Sequence, residues 1–283
     1  MIEDLNQSDR IPRMSQRYLP EEVENYRDRT WSRDPELRIE NVNAAERLVD
    51  RLGFCYALTD ARRAGPSLYI AVCGRRDAQT PRNVQKDPET SLAWTIKDEL
   101  IRRGRVYYGK LRGTRTIFIT RRLVPHFNAL FGVVHQQERS TLSKPAQRII
   151  AVLRKEWELS TGELRQQSGI TQRKVFNGAM DELQKTLRLI PSDAVYVPTF
   201  TYIWTLTESR FRDELAVVMS REQALKEIAR AYLLAAGLTW RGELARVTGL
   251  SNADAGIGNW ALVDEGFAIR VAPGVYRLQE LAL

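Results

Sequence analysis

The chain has 283 residues, and its 43 lysines and arginines against 35 aspartates and glutamates give a net charge of +8. This length is typical of two or three domains, and the 43% hydrophobic content excludes a wholly disordered chain. No apolar run approaches the roughly 20 residues of a membrane-spanning helix. The polar N-terminus lacks the pattern of a secretory signal, and two cysteines do not make a disulfide framework, so we expect a cytoplasmic protein.

The polar residues 1–37 predict an N-terminal extension with a short helix near residues 21–29. A first unit is predicted over residues 38–138. It begins with a helix over residues 44–52, for which Asn43 is the expected cap, and a second helix is predicted over residues 92–103. Two strands with β-branched and aromatic side chains then flank a turn at Arg112-Gly113. Helices followed by a hairpin predict a winged-helix-like unit.

The second unit, predicted over residues 139–212, has the pattern of a helix-turn-helix. Ser160 and Glu163 have the spacing of a capping box, which starts a short helix. A further helix is expected to begin with Thr171 as its cap. Its inward-facing positions are predicted to be Val175, Ala179 and Leu183.

A wing is predicted to follow this helix. Residues 187–190 and 196–206 are the strand candidates, and Pro191-Ser192-Asp193 is the expected turn. The third unit, predicted over residues 213–283, repeats the plan, since Gly162-Glu163-Leu164 and Gly242-Glu243-Leu244 lie 80 residues apart. The predicted fold class is therefore α+β, mainly α, with tandem winged-helix domains.

The second helix of a helix-turn-helix can enter the DNA major groove with its N-terminal side chains against bases and phosphates. In the second unit every side chain at these positions can donate a hydrogen bond, and two are cationic. The predicted DNA contacts there are Thr171, Gln172, Arg173, Lys174 and Asn177. The alternative is that this unit serves only packing or dimerisation. The corresponding helix of the third unit has no cation at its start and an acid at Asp254, so we expect it to read DNA poorly.

Positive charge is concentrated in residues 97–122, where nine basic residues against two acidic ones give a net charge of +7. Aromatic side chains that stack on bases and cations that bind phosphates are typical of nucleic-acid sites. The predicted DNA contacts in this segment are Lys97, Tyr107, Tyr108, Lys110, Arg112 and Arg115, with Trp94 as the base-stacking candidate. The alternatives are a solvated arginine-rich surface and aromatic residues that belong to the core.

The spacing of Cys55, Cys73, His126 and His135 matches no paired pattern of zinc ligands, so we predict no metal site. The chain also lacks a phosphate-binding loop of the type G-x-x-x-x-G-K-[ST] and a G-x-S-x-G nucleophile elbow. We predict no cofactor, and any small-molecule ligand is unknown at this stage.

Four motifs, taken in chain order, carry a family resemblance: Arg51-Leu52-Gly53-Phe54-Cys55, Trp94-Thr95-Ile96-Lys97-Asp98-Glu99-Leu100, Val106-Tyr107-Tyr108-Gly109-Lys110-Leu111 and Leu159-Ser160-Thr161-Gly162-Glu163-Leu164. Over about residues 37–212 the chain resembles bacterial proteins related to the AlkZ-like winged-helix DNA glycosylases. The resemblance implies stacked winged-helix domains around a basic DNA channel, in the bacterial cytoplasm or nucleoid. Members of that glycosylase family release alkylated or crosslinked bases with a Gln-x-Gln pair that positions water. This sequence contains no Gln-x-Gln, so it resembles a branch that lacks the motif.

We therefore expect a tandem winged-helix protein that binds double-stranded DNA and acts in the recognition or repair of damaged DNA. The first alternative is an active DNA glycosylase, for which Asp98 is the catalytic candidate. Asp98 lies close in sequence to Trp94, Tyr107 and Tyr108, and it is the carboxylate that we nominate for this role. The second alternative is a transcription regulator or a protein-interaction scaffold.

Overall fold

The computed structural model describes residues 19–281, which form a mainly helical α+β chain with small antiparallel sheets. Helix α1 (Glu21–Trp31) confirms the predicted short helix of the extension and is two residues longer. Residues 1–18 of the predicted extension lie outside the described residues. Within residues 19–281, no helix is both long and apolar enough to cross a membrane.

The first segment after α1 consists of helices and one three-stranded sheet. Its elements are α2 (Val42–Leu52), β1 (Phe54–Tyr56), α3 (Leu68–Cys73), α4 (Pro88–Arg103), β2 (Val106–Lys110), β3 (Thr116–Thr120) and α5 (Val124–Phe131). The central strand is β3, which pairs antiparallel with both β1 and β2. Gly104 ends α4 at a φ of +61°, in the left-handed region that glycine adopts without steric cost.

The predicted cap of α2 is wrong by two residues. Asn41 is the N-cap, and its side chain accepts a hydrogen bond from the backbone N–H of Ala44 at 3.0 Å. Asn43, the predicted cap, instead lies inside the helix, where its side-chain oxygen accepts a hydrogen bond from Arg103 at 2.6 Å. Both asparagines suit a cap, and the partner on α4 that distinguishes them is 60 residues away in sequence.

The second segment repeats the alternation of helices and strands. Its elements are α6 (Glu138–Thr141), α7 (Lys144–Glu156), β4 (Glu158–Ser160), α8 (Thr161–Gln167), α9 (Arg173–Lys185), β5 (Leu189–Val195), β6 (Thr201–Leu206) and α10 (Glu208–Ala216). The predicted capping box is confirmed, because Ser160 and Glu163 each bind the other's backbone N–H.

The start and the buried face of α9 differ from the prediction. Gln172, and not Thr171, is the N-cap, and it makes no side-chain capping bond. Val175 is 37% exposed, whereas its neighbour Phe176 is buried together with Ala179 and Leu183. At the first position of the predicted apolar face, the larger aromatic ring of Phe176 therefore takes the core site in place of Val175.

The predicted turn of the second wing is also wrong. Pro191-Ser192-Asp193 lies inside β5, and the chain reverses over residues 196–200. The strand tolerates Pro191 because β5 is an edge strand and a register shift separates Pro191 from Asp193. Proline thus marks a bulge here, which residue type alone does not distinguish from a turn.

The third segment has the same element order as the first two. It consists of α11 (Arg221–Ala236), β7 (Leu238–Thr239), α12 (Glu243–Thr248), α13 (Asn252–Asp264), β8 (Ala268–Ala272) and β9 (Val275–Leu278). Each segment contains the series helix, strand, helix, helix, strand, strand, and in each sheet the last strand lies between the other two. Gly169 and Gly249, 80 residues apart, have φ angles of +63° and +77° between the second and third helices of their series.

The apolar cores do not follow the order of the segments. The first and third segments share one core, in which Phe54 of β1 stacks on Tyr232 of α11 with ring centroids 6.1 Å apart. The second segment has a core of its own, which includes Ile150 and Leu164 together with Leu183, for which the sequence predicts an inward-facing position. Helix α1 is attached to the third segment, since Arg27 donates hydrogen bonds to the backbone carbonyls of Ala236 and Leu238.

Candidate functional site

Most of the positive charge in residues 97–122 is paired with carboxylates. Six of the nine cations lie within 4.0 Å of a carboxylate, and the pairs are Lys97–Asp98, Arg102–Glu99, Arg103–Glu46, Arg105–Glu46, Lys110–Asp181 and Arg121–Glu214. Arg112, Arg115 and Arg122 make no ion pair with any residue of the described range. The sequence therefore overstates the positive potential of this segment, because four of the six paired cations bind carboxylates from other parts of the chain, Glu46, Asp181 and Glu214.

Lys97, Tyr107 and Tyr108 are buried, which corrects their prediction as DNA contacts. Lys97 is 2% exposed, and the two tyrosines pack against Phe211 and Phe118 at 5.9 and 5.0 Å between ring centroids. Burial raises the pKa of both tyrosine hydroxyls above its ordinary value. Strand β2 lies at the edge of its sheet, but α4, α9 and β5 also pack on it, so both of its faces are covered.

The tip of the β2–β3 hairpin keeps the other predicted cations near the surface. Arg112 and Arg115 are exposed. Lys110 is half-exposed, and its Nζ lies 3.5 Å from Oδ1 of Asp181 on α9. This contact places the hairpin next to α9, so the two predicted DNA-binding elements are neighbours in space.

All five predicted contacts at the start of α9 are exposed: Thr171, Gln172, Arg173, Lys174 and Asn177. Neither Arg173 nor Lys174 makes an ion pair with a residue in the range 19–281. Cations in the first turn of a helix oppose its macrodipole, so they do not stabilise the helix. They leave a cluster of hydrogen-bond donors and positive charge that suits an anionic ligand.

Trp94 and Asp98 lie together in the wall of a cavity of about 530 Å³. Asp98 is 6% exposed, and its two carboxylate oxygens accept separate hydrogen bonds from Lys97 Nζ and Tyr196 Oη. Lys97 Nζ also donates to Tyr202 Oη at 3.1 Å and lies 5.5 Å from the centroid of Trp94. The structure thus brings Trp94 and Asp98 together, but Tyr107 and Tyr108 do not line this cavity.

Tyr196 is the cavity residue that the sequence did not reveal. It enters from the end of β5, 98 positions after Asp98, and its ring remains 51% exposed. Burial of the hydroxyl and its bond to Asp98 raise the pKa of Tyr196 to about 12, so the phenol is protonated at neutral pH. No local pattern in the sequence points to Tyr196, because its role depends on how β5 packs against α4.

A second cavity, of about 590 Å³, lies beside the β2–β3 hairpin and is polar. Arg115 and Thr116 line it together with the loop that contains Asp60, Arg62 and Arg63. Hydrogen bonds from Arg62, followed by those from Thr80, hold the pKa of Asp60 well below its usual range. No pattern in the sequence points to this loop, which adds two arginines beside Arg115.

The two cysteines are both buried, and burial raises the pKa of each thiol to about 12. Cys55 and Cys73 are therefore neutral thiols at neutral pH. Residues 19–281 contain no group of three or more His, Cys, Asp or Glu side chains that could hold a metal ion.

The fold is similar to that of a solved DNA glycosylase. The Streptomyces sahachiroi DNA glycosylase AlkZ superposes with a TM-score of 0.57 at 13% sequence identity, over 92% of this chain and 69% of that chain. No curated protein matches the sequence. The AlkZ-related family matches residues 39–232, which is more than half of the chain. The protein therefore belongs to the AlkZ-related family.

Proposed function

We propose that this protein is a DNA-binding protein with three winged-helix domains that acts in the recognition or repair of damaged DNA. The proposed domains are residues 38–138, 139–212 and 213–283. The order helix, strand, helix, helix, strand, strand in each segment, with the last strand in the middle of the sheet, supports the winged-helix assignment. Membership of the AlkZ-related family and the fold shared with a DNA glycosylase support a role on DNA.

The start of α9 is the observation that carries the proposal. It combines two cations that have no carboxylate partner in the described residues with three exposed side chains that can hydrogen-bond to bases or phosphates. In a helix-turn-helix these positions face the major groove. The equivalent helix α13 lacks this chemistry, because it has no cation at its start and carries the acid Asp254, which Arg221 and Ser251 each bind at 2.8 Å.

The test is a DNA-binding titration of the double variant Arg173→Ala/Lys174→Ala against undamaged duplex DNA. Each phosphate contact releases counterions from the DNA when the protein binds. Without these two cations we therefore expect a lower affinity that depends less steeply on salt concentration. The matched control is Arg38→Ala/Lys226→Ala, which removes two cations that pair with Glu40 and Glu265 elsewhere on the molecule. Equal affinities for the wild type and the α9 variant would contradict the proposal.

An active DNA glycosylase is the second candidate function. A glycosylase needs a pocket for an unstacked base and a group that positions water or stabilises positive charge at the sugar. The cavity that holds Trp94 and Asp98 has an aromatic wall and a carboxylate, which favours this candidate. Its decisive measurement is base excision from duplexes with defined alkylated, deaminated or crosslinked bases, with undamaged duplex as the control.

A further inference from the structure

The cavity between α4 and the end of β5 has the size and lining of a small-molecule site. Its volume of about 530 Å³ lies within the roughly 300–1,000 Å³ that is usual for such pockets. Trp94 and Val84 provide exposed apolar surface at 39% and 38%, and Phe200 extends the apolar wall by packing on Tyr196 at 5.2 Å. Hydrophobic and aromatic side chains are the usual lining of small-molecule pockets.

The charges of the cavity are balanced within the protein. Asp98 is paired with Lys97, and Glu99 is bound by Arg102 and Arg103. Arg102, the cation among the lining side chains, also binds Asp193 at 3.1 Å. The cavity therefore offers no uncompensated positive charge to a phosphate or carboxylate, and we expect its ligand to have no anionic group in the pocket.

Three hydroxyl donors in the cavity wall are engaged within the protein, whereas the indole N–H of Trp94 and the hydroxyl of Ser91 make no hydrogen bond within the described residues. The hydroxyl of Tyr196 donates to Asp98, that of Thr90 donates to Asp87, and that of Thr95 donates to the carbonyl of Ser91. Each oxygen keeps a lone pair, and an ionised carboxylate has about four acceptor sites, of which Asp98 uses two. The floor formed by Asp98 and Tyr196 thus accepts hydrogen bonds but donates none to a ligand.

An acceptor floor beside an aromatic wall selects a flat ring with adjacent donors. Among the nucleobases, only guanine has two neighbouring donors, the ring N1–H and the exocyclic amine, on its pairing edge. Adenine and cytosine have a donor next to an acceptor, and uracil has its N–H between two carbonyls, so each would leave an acceptor facing the carboxylate. We propose that this cavity binds a guanine ring, stacked on Trp94, with its N–H edge on Asp98 and Tyr196.

The guanine can come from a free nucleoside or from a base displaced out of DNA, and two titrations separate the sources. The first measures binding of guanosine, inosine and adenosine by calorimetry. Inosine keeps the ring N–H but lacks the exocyclic amine, so we expect it to bind about tenfold more weakly than guanosine, with adenosine weaker still. The second compares duplexes with a single bulged guanine and a single bulged adenine. Preference for guanine in either titration supports the proposal, and no preference in both overturns it.

Variants of the cavity locate the binding. Trp94→Ala removes the stacking surface, so it should weaken the binding of guanosine, or of the duplex with a bulged guanine, about tenfold. Tyr196→Phe removes one acceptor and leaves the Lys97–Asp98 pair intact, so it should reduce the preference for guanosine over inosine without loss of the fold. The matched control is Trp157→Ala, which removes a tryptophan that is 69% exposed and lies outside the cavity. This variant should bind guanosine as the wild type does. If Trp94→Ala and Tyr196→Phe both bind as the wild type does, the proposal is wrong.

The site is separable from the proposed DNA interface. The double variant Arg173→Ala/Lys174→Ala changes neither the cavity lining nor its hydrogen bonds. It should bind free guanosine as the wild type does, even where it binds duplex DNA weakly. Loss of guanosine binding in that variant would overturn the assignment of the ring to this cavity, whereas loss of duplex binding alone concerns only the α9 proposal.

Discussion

Asp98 is the residue on which the glycosylase candidate depends. If its carboxylate positions water or stabilises charge at the sugar, Asp98→Asn should slow excision about 100–1,000-fold, which is the usual effect of losing one preorganised electrostatic group. DNA affinity should be unchanged or slightly higher, because one negative charge is lost. Single-turnover excision from a duplex that the wild type processes is the measurement.

The same substitution also affects stability, because Asp98 pairs with the buried Lys97. Breaking a buried pair by changing one partner costs about 3–5 kcal/mol, so thermal unfolding must first establish a temperature at which both proteins are folded. Glu99→Gln is the matched control, since it neutralises the next carboxylate in the same cavity wall. Full excision by Asp98→Asn at that temperature would eliminate the catalytic role.

Single residues were predictable where their neighbours in sequence decide their surroundings. Trp94 and Asp98 are one helical turn apart, so the sequence alone places them on one face of α4. The burial of Lys97 was not predictable, because Tyr202 and Asp98 together hold its Nζ and Tyr202 is 105 positions away. Tyr196 was missed for the same reason.

At the scale of elements, α9 offers a direct test of its buried face. Leu183 is fully buried in the core of the second segment, whereas Val175 is 37% exposed. Leu183→Ala should therefore lower the free energy of unfolding by about 2–5 kcal/mol. Val175→Ala, the control on the same helix, should change it by less than about 0.5 kcal/mol. Urea denaturation measures both, and similar losses would refute the orientation of α9.

Elements with strong local signals agree with the sequence, and those decided by tertiary contacts do not. The capping box fixes the start of α8, as its spacing in the sequence predicts. The turn of the predicted second wing was misplaced because Pro191 and Asp193 are residues that also occur in turns. Pairing of β5 with β6 keeps them in a strand, at the expense of a register shift.

At the scale of the whole molecule, the first and third segments pack against each other although the second segment separates them in sequence. The first and third segments form one core, to which α5 and α11 contribute Phe127 and Tyr232 against Phe54. The second segment packs around its own core between them in sequence. The sequence pattern within each segment predicts its helices and strands. It does not predict which segments pack together, because that packing depends on the outer faces of their helices. The buried ion pair between Arg27 and Glu243, at 3.1 Å, likewise links α1 to the third segment through residues that are far apart in sequence.

The distribution of ion pairs over the molecule changes what the basic segment predicts for DNA binding. Arg112 and Arg115, at the tip of the β2–β3 hairpin, have no carboxylate partner within residues 19–281, whereas Arg102 and Arg105 bind Glu99 and Glu46. Arg112→Ala/Arg115→Ala should therefore weaken duplex binding about equally for all sequences. Because each phosphate contact contributes about 0.9 to the slope of log affinity against log salt, the slope should fall by up to about 1.8. Arg102→Ala/Arg105→Ala removes the same charge from paired positions and should change the slope less. Equal slopes for the two double variants, measured from low to physiological salt, would show that the hairpin tip does not contact the DNA backbone.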